Sequence, residues 1–229
     1  MEQLASAARS MQSQDGAERT LERCVAIATE LFEGCRYAAV SVVHRNAPID
    51  TAAASDPRVR RGDELQYELQ EGPCLDAIWH EETVHSPDLR ADERWPTWGP
   101  QVSDELGIRG MLSFQLFTDQ NSLGALNLYS TTVGPFDAED VEAGLLLAAE
   151  TAVALAQARA MTQLHTAALN RTVIGQAQGI LMERYKLDAQ AAFAVLRRIS
   201  QANNVKLHRV ASEFVETRSL PPNLSEDRG

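Results

Sequence analysis

Val173-Ile174-Gly175-Gln176-Ala177-Gln178-Gly179-Ile180-Leu181-Met182-Glu183-Arg184 is the stretch on which the reading of this chain turns. Ile174, Ala177, Leu181 and, just beyond, Tyr185 recur at helical spacing, so the segment is an amphipathic helix with one apolar stripe. Gly175 and Gly179 interrupt it, and each costs about 1 kcal/mol relative to alanine in a helix interior. They stand one turn apart, with Arg171, Gln178 and Met182 on adjoining turns. Bare helix surface of this kind lets a neighbouring helix, another backbone or a nucleobase approach closely. Spacing alone leaves these alternatives open.

Two more apolar stripes follow. Ala192, Val195, Leu196, Ile199 and Ala202 mark a second helix, and Leu207, Val210, Ala211, Phe214 and Val215 a third. Leu187-Asp188 separates the first two, with Asp188 placed to cap the second, and Asn203-Asn204 separates the last two. Three short stripes make a small bundle that is marginal alone. Arg197, Arg198, Lys206 and Arg209 lie on the second and third helices with Ser200 and Asn203. Arginine and lysine neutralise phosphates, whereas Asn, Gln and Arg also bond base edges. The pattern fits an RNA-binding module or a DNA-binding helix-turn-helix equally well.

Charge is distributed unevenly. The 229-residue chain carries a formal −11, which by itself disfavours a nucleic-acid partner. Residues 162–218 hold eight Lys and Arg against four acids, while residues 1–161 hold 12 Arg, no Lys and 26 acids. A basic piece therefore sits on an acidic body. The start lacks a basic stretch followed by an apolar one, so no secretory signal is expected. No apolar run of bilayer length is read either, so a cytoplasmic location without membrane contact is the expectation.

Residues 1–16 read as a frayed start, with Asp15 and Glu18 as a capping box for the helix that carries Leu21, Cys24, Val25, Ala28, Leu31 and Phe32. Tyr37 to Val43 is a strand by its β-branched content, Asn46-Ala47-Pro48 a turn, and Asp50 to Ser55 a returning strand. Gly72-Pro73 opens a short helix, and Thr83 to Ser86 is a further strand. Met111–Phe117 and Leu123–Tyr129 form a hairpin through Asp119-Gln120-Asn121-Ser122. Asp137 opens a long helix, stapled by Phe136 and Val141. Val141, Leu145, Ala148, Ala152 and Leu155 follow at spacings of four and three, which fits a dimer seam or a helix packed on its own sheet.

The run from Val173 to Arg184 resembles the signature of ANTAR domains. So do Ala191-Ala192-Phe193, Leu196-Arg197, Ser200, Asn203, Lys206-Leu207 and Val210-Ala211. The resemblance covers nearly all of residues 162–218. It implies binding to paired stem-loops in nascent mRNA, favouring an antiterminated structure. It also implies an RNA face drawn from Arg171, Gln178, Met182, Arg184, Ser200, Asn203, Lys206 and Arg209. The family usually has lysine where this chain has Gln178, which exchanges a charge for an amide.

The earlier part resembles GAF domains. The matching pieces are Glu71-Gly72-Pro73-Cys74-Leu75-Asp76-Ala77, Val84-His85-Ser86-Pro87-Asp88-Leu89, Arg94-Trp95-Pro96 and Leu123 to Tyr129. This resemblance implies a domain over residues 17–158 that binds a small molecule or mediates dimerisation. The organisation as a whole is similar to actinobacterial GAF–ANTAR proteins. The expected class is α+β: a GAF-like antiparallel sheet with flanking helices, a long connecting helix from about residue 137, a three-helix ANTAR bundle over 162–218 and a flexible tail over 219–229.

Cys74, Trp79, Trp95 and Trp98 are the candidates for a ligand pocket, although such aromatics also serve as core. Some GAF-fold enzymes reduce free methionine sulfoxide with cysteines, so Cys74 carries a minor alternative as a reductase. Cys24, Cys35 and Cys74 show no paired spacing, and His44, His80, His85, His165 and His208 are scattered, so neither a disulfide framework nor a metal site is read. No paired acid and base and no phosphate loop are visible, and no enzyme and no cofactor are expected. The expected protein is a homodimeric regulator responding to a small-molecule ligand and acting on RNA. The alternatives are a helical module for protein contacts alone and a DNA-binding regulator.

Overall fold

A computed structural model describes residues 6, 9–11, 13–14, 16–44, 47–118 and 121–219. The chain divides into two compact units, Met1–Ala160 and Met161–Gly229.

In the first unit the elements run α1 (Ala17–Leu31), β1 (Tyr37–His44), β2 (Ala47–Ala54), α2 (Pro57–Leu69), α3 (Pro73–Trp79), β3 (Thr83–Ser86), α4 (Trp98–Leu106), β4 (Gly110–Thr118) and β5 (Asn121–Ser130). Helix α5 (Ala138–Tyr185) starts in this unit and continues into the second. The five strands lie in the order β2-β1-β5-β4-β3, and every pairing is antiparallel. Residues 119–120 of the hairpin turn and Asp15 of the expected capping box lie outside the described residues. Helix α1 begins after Gly16, its N-cap residue.

Period-two alternation divides the sheet between two cores. Ala38, Val40, Val42, Leu112, Phe114, Leu116, Leu126 and Leu128 face the layer of α1 and α5. Tyr37, Ala39, Met111, Ala125 and Tyr129 face the layer of α2, α3 and α4. With both faces covered, β1 is buried from Tyr37 to Val42, which explains its apolar run.

Asp137 accepts from the backbone N–H of Glu139 at 2.8 Å and of Asp140 at 3.0 Å, and Asp140 returns a bond to Asp137 N. This reciprocal cap fixes the start of α5. Gly144 then sits where a Cβ would lie 2.1 Å from the Phe114 ring, so only glycine lets the helix come this close to the sheet. The expected seam resolves into the intramolecular alternative. Ala148, Ala152 and Leu155 are buried in the sheet core, with Val141 and Leu145 partly buried against it. Against the expectation of no bilayer-length run, one 18-residue window of α5 reaches a mean hydropathy of 1.4, enough by length and composition to cross a membrane. About 39% of that window is buried, and its inward residues belong to the core just described.

The second unit contains the rest of α5, then α6 (Ala189–Ala202) and α7 (Leu207–Thr217). Asp188 caps α6 by accepting from Ala191 N at 2.7 Å, as its position before the apolar stripe predicts. Ala177, Leu181, Ala192, Leu196, Ile199, Val210, Ala211 and Phe214 form the core. Two expected stripe members depart from it: Tyr185 and Ala202 are exposed at their helix ends. The connecting helix and the first helix of the bundle are one 48-residue element, because no proline or turn cluster lies between them.

Candidate functional site

In the second unit, Gln178 and Arg184 sit on opposite flanks of α5. Gln178 Nε2 donates to Ala189 O at 2.5 Å, toward α6. Arg184 donates to Arg218 O at 2.6 Å, at the end of α7. Arg171, Gln178 and Met182 share one stripe by their spacing of seven and four. Arg171 is exposed, Met182 is 36% exposed and Gln178 is half-buried. The eight expected face residues therefore do not share one surface.

Four of them gather around the α6–α7 turn. Ser200 Oγ donates to Val205 O at 2.6 Å, and Asn203 Nδ2 to Ile199 O at 2.9 Å. These two side chains brace the turn, where Asn204 takes a left-handed φ of 51°. Lys206 stands at the start of α7 and Arg209 in its first turn. Arg197, Arg198, Lys206 and Arg209 are exposed and make no ion pair among the described residues; the pair in this unit is Lys186 with Glu183. The free cations are thus the adaptable part, and the polar side chains hold them in place.

Gly175 and Gly179 are exposed, and a Cβ on either would meet nothing within 4 Å. Packing within the chain does not require them. Of the alternatives open in the sequence, a neighbouring helix of this unit is not what fills the space.

The first unit holds a second polar centre that the sequence reading missed. Asp63 on α2 is fully buried. Its carboxylate accepts from Thr51 at 2.9 Å, Gln66 at 3.2 Å, Ser41 and Asn127 at 3.4 Å each, and Tyr129. Tyr67 donates to Ser41 at 2.8 Å, and the Cys74 thiol donates to Ser41 at 3.2 Å. Asn127 Oδ1 is buried without a partner among the described residues. Burial pushes the Asp63 carboxyl up to about 6, against the hydrogen bonds from Tyr129, Thr51 and Ser41, which favour the anion. The available signal was Ser41 and Asn127, polar residues inside apolar strand runs. Gln66 also receives Cys74 N at 2.9 Å, and it fills the space a Cβ at Gly72 would need, so Gly72-Pro73 is where α3 locks onto α2.

The expected pocket residues separate. Trp95 and Trp98 are buried, with rings edge-to-face at 6.4 Å. Their indole N–H groups reach Asp76 Oδ2 at 2.9 Å and Gly62 O at 3.0 Å. They serve as core with satisfied donors. Trp79 is 55% exposed. Cys74 belongs to the polar cluster, and burial pushes its thiol up to about 12. Burial likewise raises Cys24 and Cys35 to about 12. Protonated, buried thiols are poor nucleophiles.

The sheet and helix order are similar to several solved structures. The free methionine-R-sulfoxide reductase of Neisseria meningitidis, solved in complex with its substrate, aligns with a TM-score of 0.55 at 18% identity over 69% of this chain and 89% of that one. The GAF domain of an Acinetobacter phosphoenolpyruvate-protein phosphotransferase gives 0.55 at 15% over 71% and 96%. Its counterpart from Coxiella burnetii gives 0.56 at 16% over 71% and 95%. At these identities the likeness concerns the fold alone. No curated protein matches the chain. The first unit is thus a GAF fold, a five-stranded antiparallel sheet between helical layers. Family models match a GAF domain over residues 14–156 and an ANTAR domain over 162–215. The chain belongs to the GAF domain family, in its GAF–ANTAR arrangement, which is that of a sensor regulator.

Proposed function

We propose that the protein is a signal-responsive regulator that binds stem-loops in nascent mRNA through residues 162–218 and promotes transcription antitermination in the cytoplasm. The observation that carries this reading is the set of exposed cations with no ion pair among the described residues, Arg197, Arg198, Lys206 and Arg209, on a module that is basic within an acidic chain. Arg171 and Met182 flank the bare surface of Gly175 and Gly179, where a flat base or a sugar-phosphate strand has room to approach. Gln178, Ser200, Asn203 and Arg184 already bond backbone carbonyls, so their part is to hold the face in shape. The first unit supplies the signal, through a small ligand or through dimerisation. The inert thiols favour a regulator over a reductase.

A gel-shift titration tests the reading with a double stem-loop RNA, a loop-scrambled RNA and duplex DNA. Selective binding of the first supports it. Equal binding of all three reduces it to a charge effect, and no binding favours a protein-docking module. Lys206→Ala and Arg209→Ala are each expected to weaken every RNA similarly and to flatten the log–log salt slope by about 0.7 to 0.9. An unchanged slope would remove both residues from phosphate contact.

The homodimer rests on a face other than the expected seam. Leu146 and Val153 on α5, with Phe117 on β4, are 47%, 45% and 46% exposed. Val153 and Phe117, with Ala149, line a groove of about 370 Å³. Leu146, Ala149 and Val153 repeat at three and four, a stripe that is self-complementary about a two-fold axis. Leu146→Asp with Val153→Asp is expected to halve the mass measured by light scattering. A wild-type chain that already runs as a monomer would refute the dimer.

A further inference from the structure

A cleft in the first unit lies on the α1/α5 side of the sheet, opposite the Asp63 cluster. Its volume is about 300 Å³, the low end of the range of small-molecule sites, about 300 to 1,000 Å³. Leu21, Val42 and Leu155 form an apolar floor. The rim carries Glu18 from α1, Asp50 from β2 and Arg159 from α5, and Asp50 is engaged by His44.

Arg159 is the unusual member. It is half-buried, and burial holds its guanidinium below the ordinary value, with the nearby Asp50 charge acting in the opposite direction. Among the described residues no hydrogen bond or ion pair satisfies it. A partly desolvated cation with no acceptor is a costly arrangement that an incoming acceptor relieves. Glu18 is exposed and also lacks an ion pair among the described residues.

We propose that this cleft binds a small zwitterion with an apolar body, an apolar α-amino acid, its carboxylate on Arg159 and its ammonium toward Glu18 and Asp50. The charge balance selects this class. The rim presents both signs, Arg159 against Glu18 and Asp50, so a simple anion drawn to the guanidinium also meets two carboxylates. A simple amine leaves Arg159 without an acceptor. A zwitterion satisfies both signs at once. The apolar floor takes the side chain, and the small volume excludes nucleotides. The assignment concerns the first unit alone and holds whether or not residues 162–218 bind RNA.

Titration calorimetry on the full chain tests it, with L-leucine, L-isoleucine, L-valine, L-methionine and L-phenylalanine as probes. The controls are 4-methylpentanoate, which lacks the ammonium, and 3-methylbutylamine, which lacks the carboxylate. At least one amino acid is expected to bind, and both controls to bind about tenfold more weakly or worse, as loss of a charged hydrogen bond implies. Arg159→Gln is expected to lose about tenfold or more in affinity, with a far-UV spectrum and thermal transition like the parent's. Glu18→Gln should weaken the amino acid but not 4-methylpentanoate. Absence of binding by all five amino acids up to about 10 mM overturns the proposal. So does equal binding of 4-methylpentanoate, or unchanged affinity in a folded Arg159→Gln protein.

Discussion

Phe214→Ala is expected to unfold residues 189–217 at room temperature while the five-stranded sheet stays folded. Phe214 is fully buried in the core of the second unit, among Ala177, Leu181, Ala192, Leu196, Ile199, Val210 and Ala211. Three of those seven neighbours are alanines, which have no longer side chain with which to fill the space left behind. Truncating a buried phenylalanine costs about 3 to 5 kcal/mol. A unit of this size has a reserve of similar magnitude, since a small domain buries a low fraction of its surface. Circular dichroism should show loss of helix, and the near-ultraviolet signal of Trp95 and Trp98 in the first unit should persist. Phe193→Ala is the control. Phe193 is 38% exposed, and its removal should shift stability by about 0.5 kcal/mol or less. A Phe214→Ala protein with the parent's helical signal and urea midpoint would mean that the bundle is held by more than this core.

The elements that could be read from the sequence are those whose period survives in the structure. The capped α6 and the α7 stripe each bury one face, so the apolar pattern and the burial pattern coincide, while the β4–β5 hairpin was legible from its two apolar strands and the turn residues between them. Helices α2 and α4 were not legible. Helix α2 reads Pro-Arg-Val-Arg-Arg-Gly-Asp-Glu-Leu-Gln-Tyr-Glu-Leu, and it buries Gly62, Asp63 and Gln66 beside Val59 and Leu65. A polar buried face defeats a rule that equates burial with hydrophobicity. The expected dimer seam went astray for a related reason. Spacings of four and three describe any apolar face of a helix, and the sheet took that face first. Among the expected RNA-face residues, chemistry was legible but direction was not. A glutamine and an arginine six positions apart on α5 can each reach solvent in a sequence pattern, whereas the structure turns them to opposite flanks.

Asp63→Asn is expected to flatten part of the pH dependence of stability and to strengthen the first unit at neutral pH. The carboxyl lies near 6 in the folded chain and starts from an ordinary value of 3.8. A folded-state value raised above the unfolded one means that the native state binds the proton more tightly. The associated stability is therefore present below about pH 4 and is lost as pH rises through about 6. A shift of about two units corresponds to about 3 kcal/mol. Asp56, Glu68, Glu71 and Asp92 act in the opposite sense, because their folded values are lowered. The difference between variant and parent isolates Asp63 from them. An asparagine keeps the shape and cannot ionise, and its amide oxygen can still accept from Gln66, Asn127 and Tyr129. The hydroxyls of Ser41 and Thr51 can rotate to accept in place of donating. Urea midpoints from pH 4 to pH 8 should thus diverge, the variant gaining on the parent as pH rises and by about 3 kcal/mol at most above pH 6. Parallel curves, or a variant weaker at every pH, would mean that the anion in its cage of five donors is itself what holds α2 to the sheet.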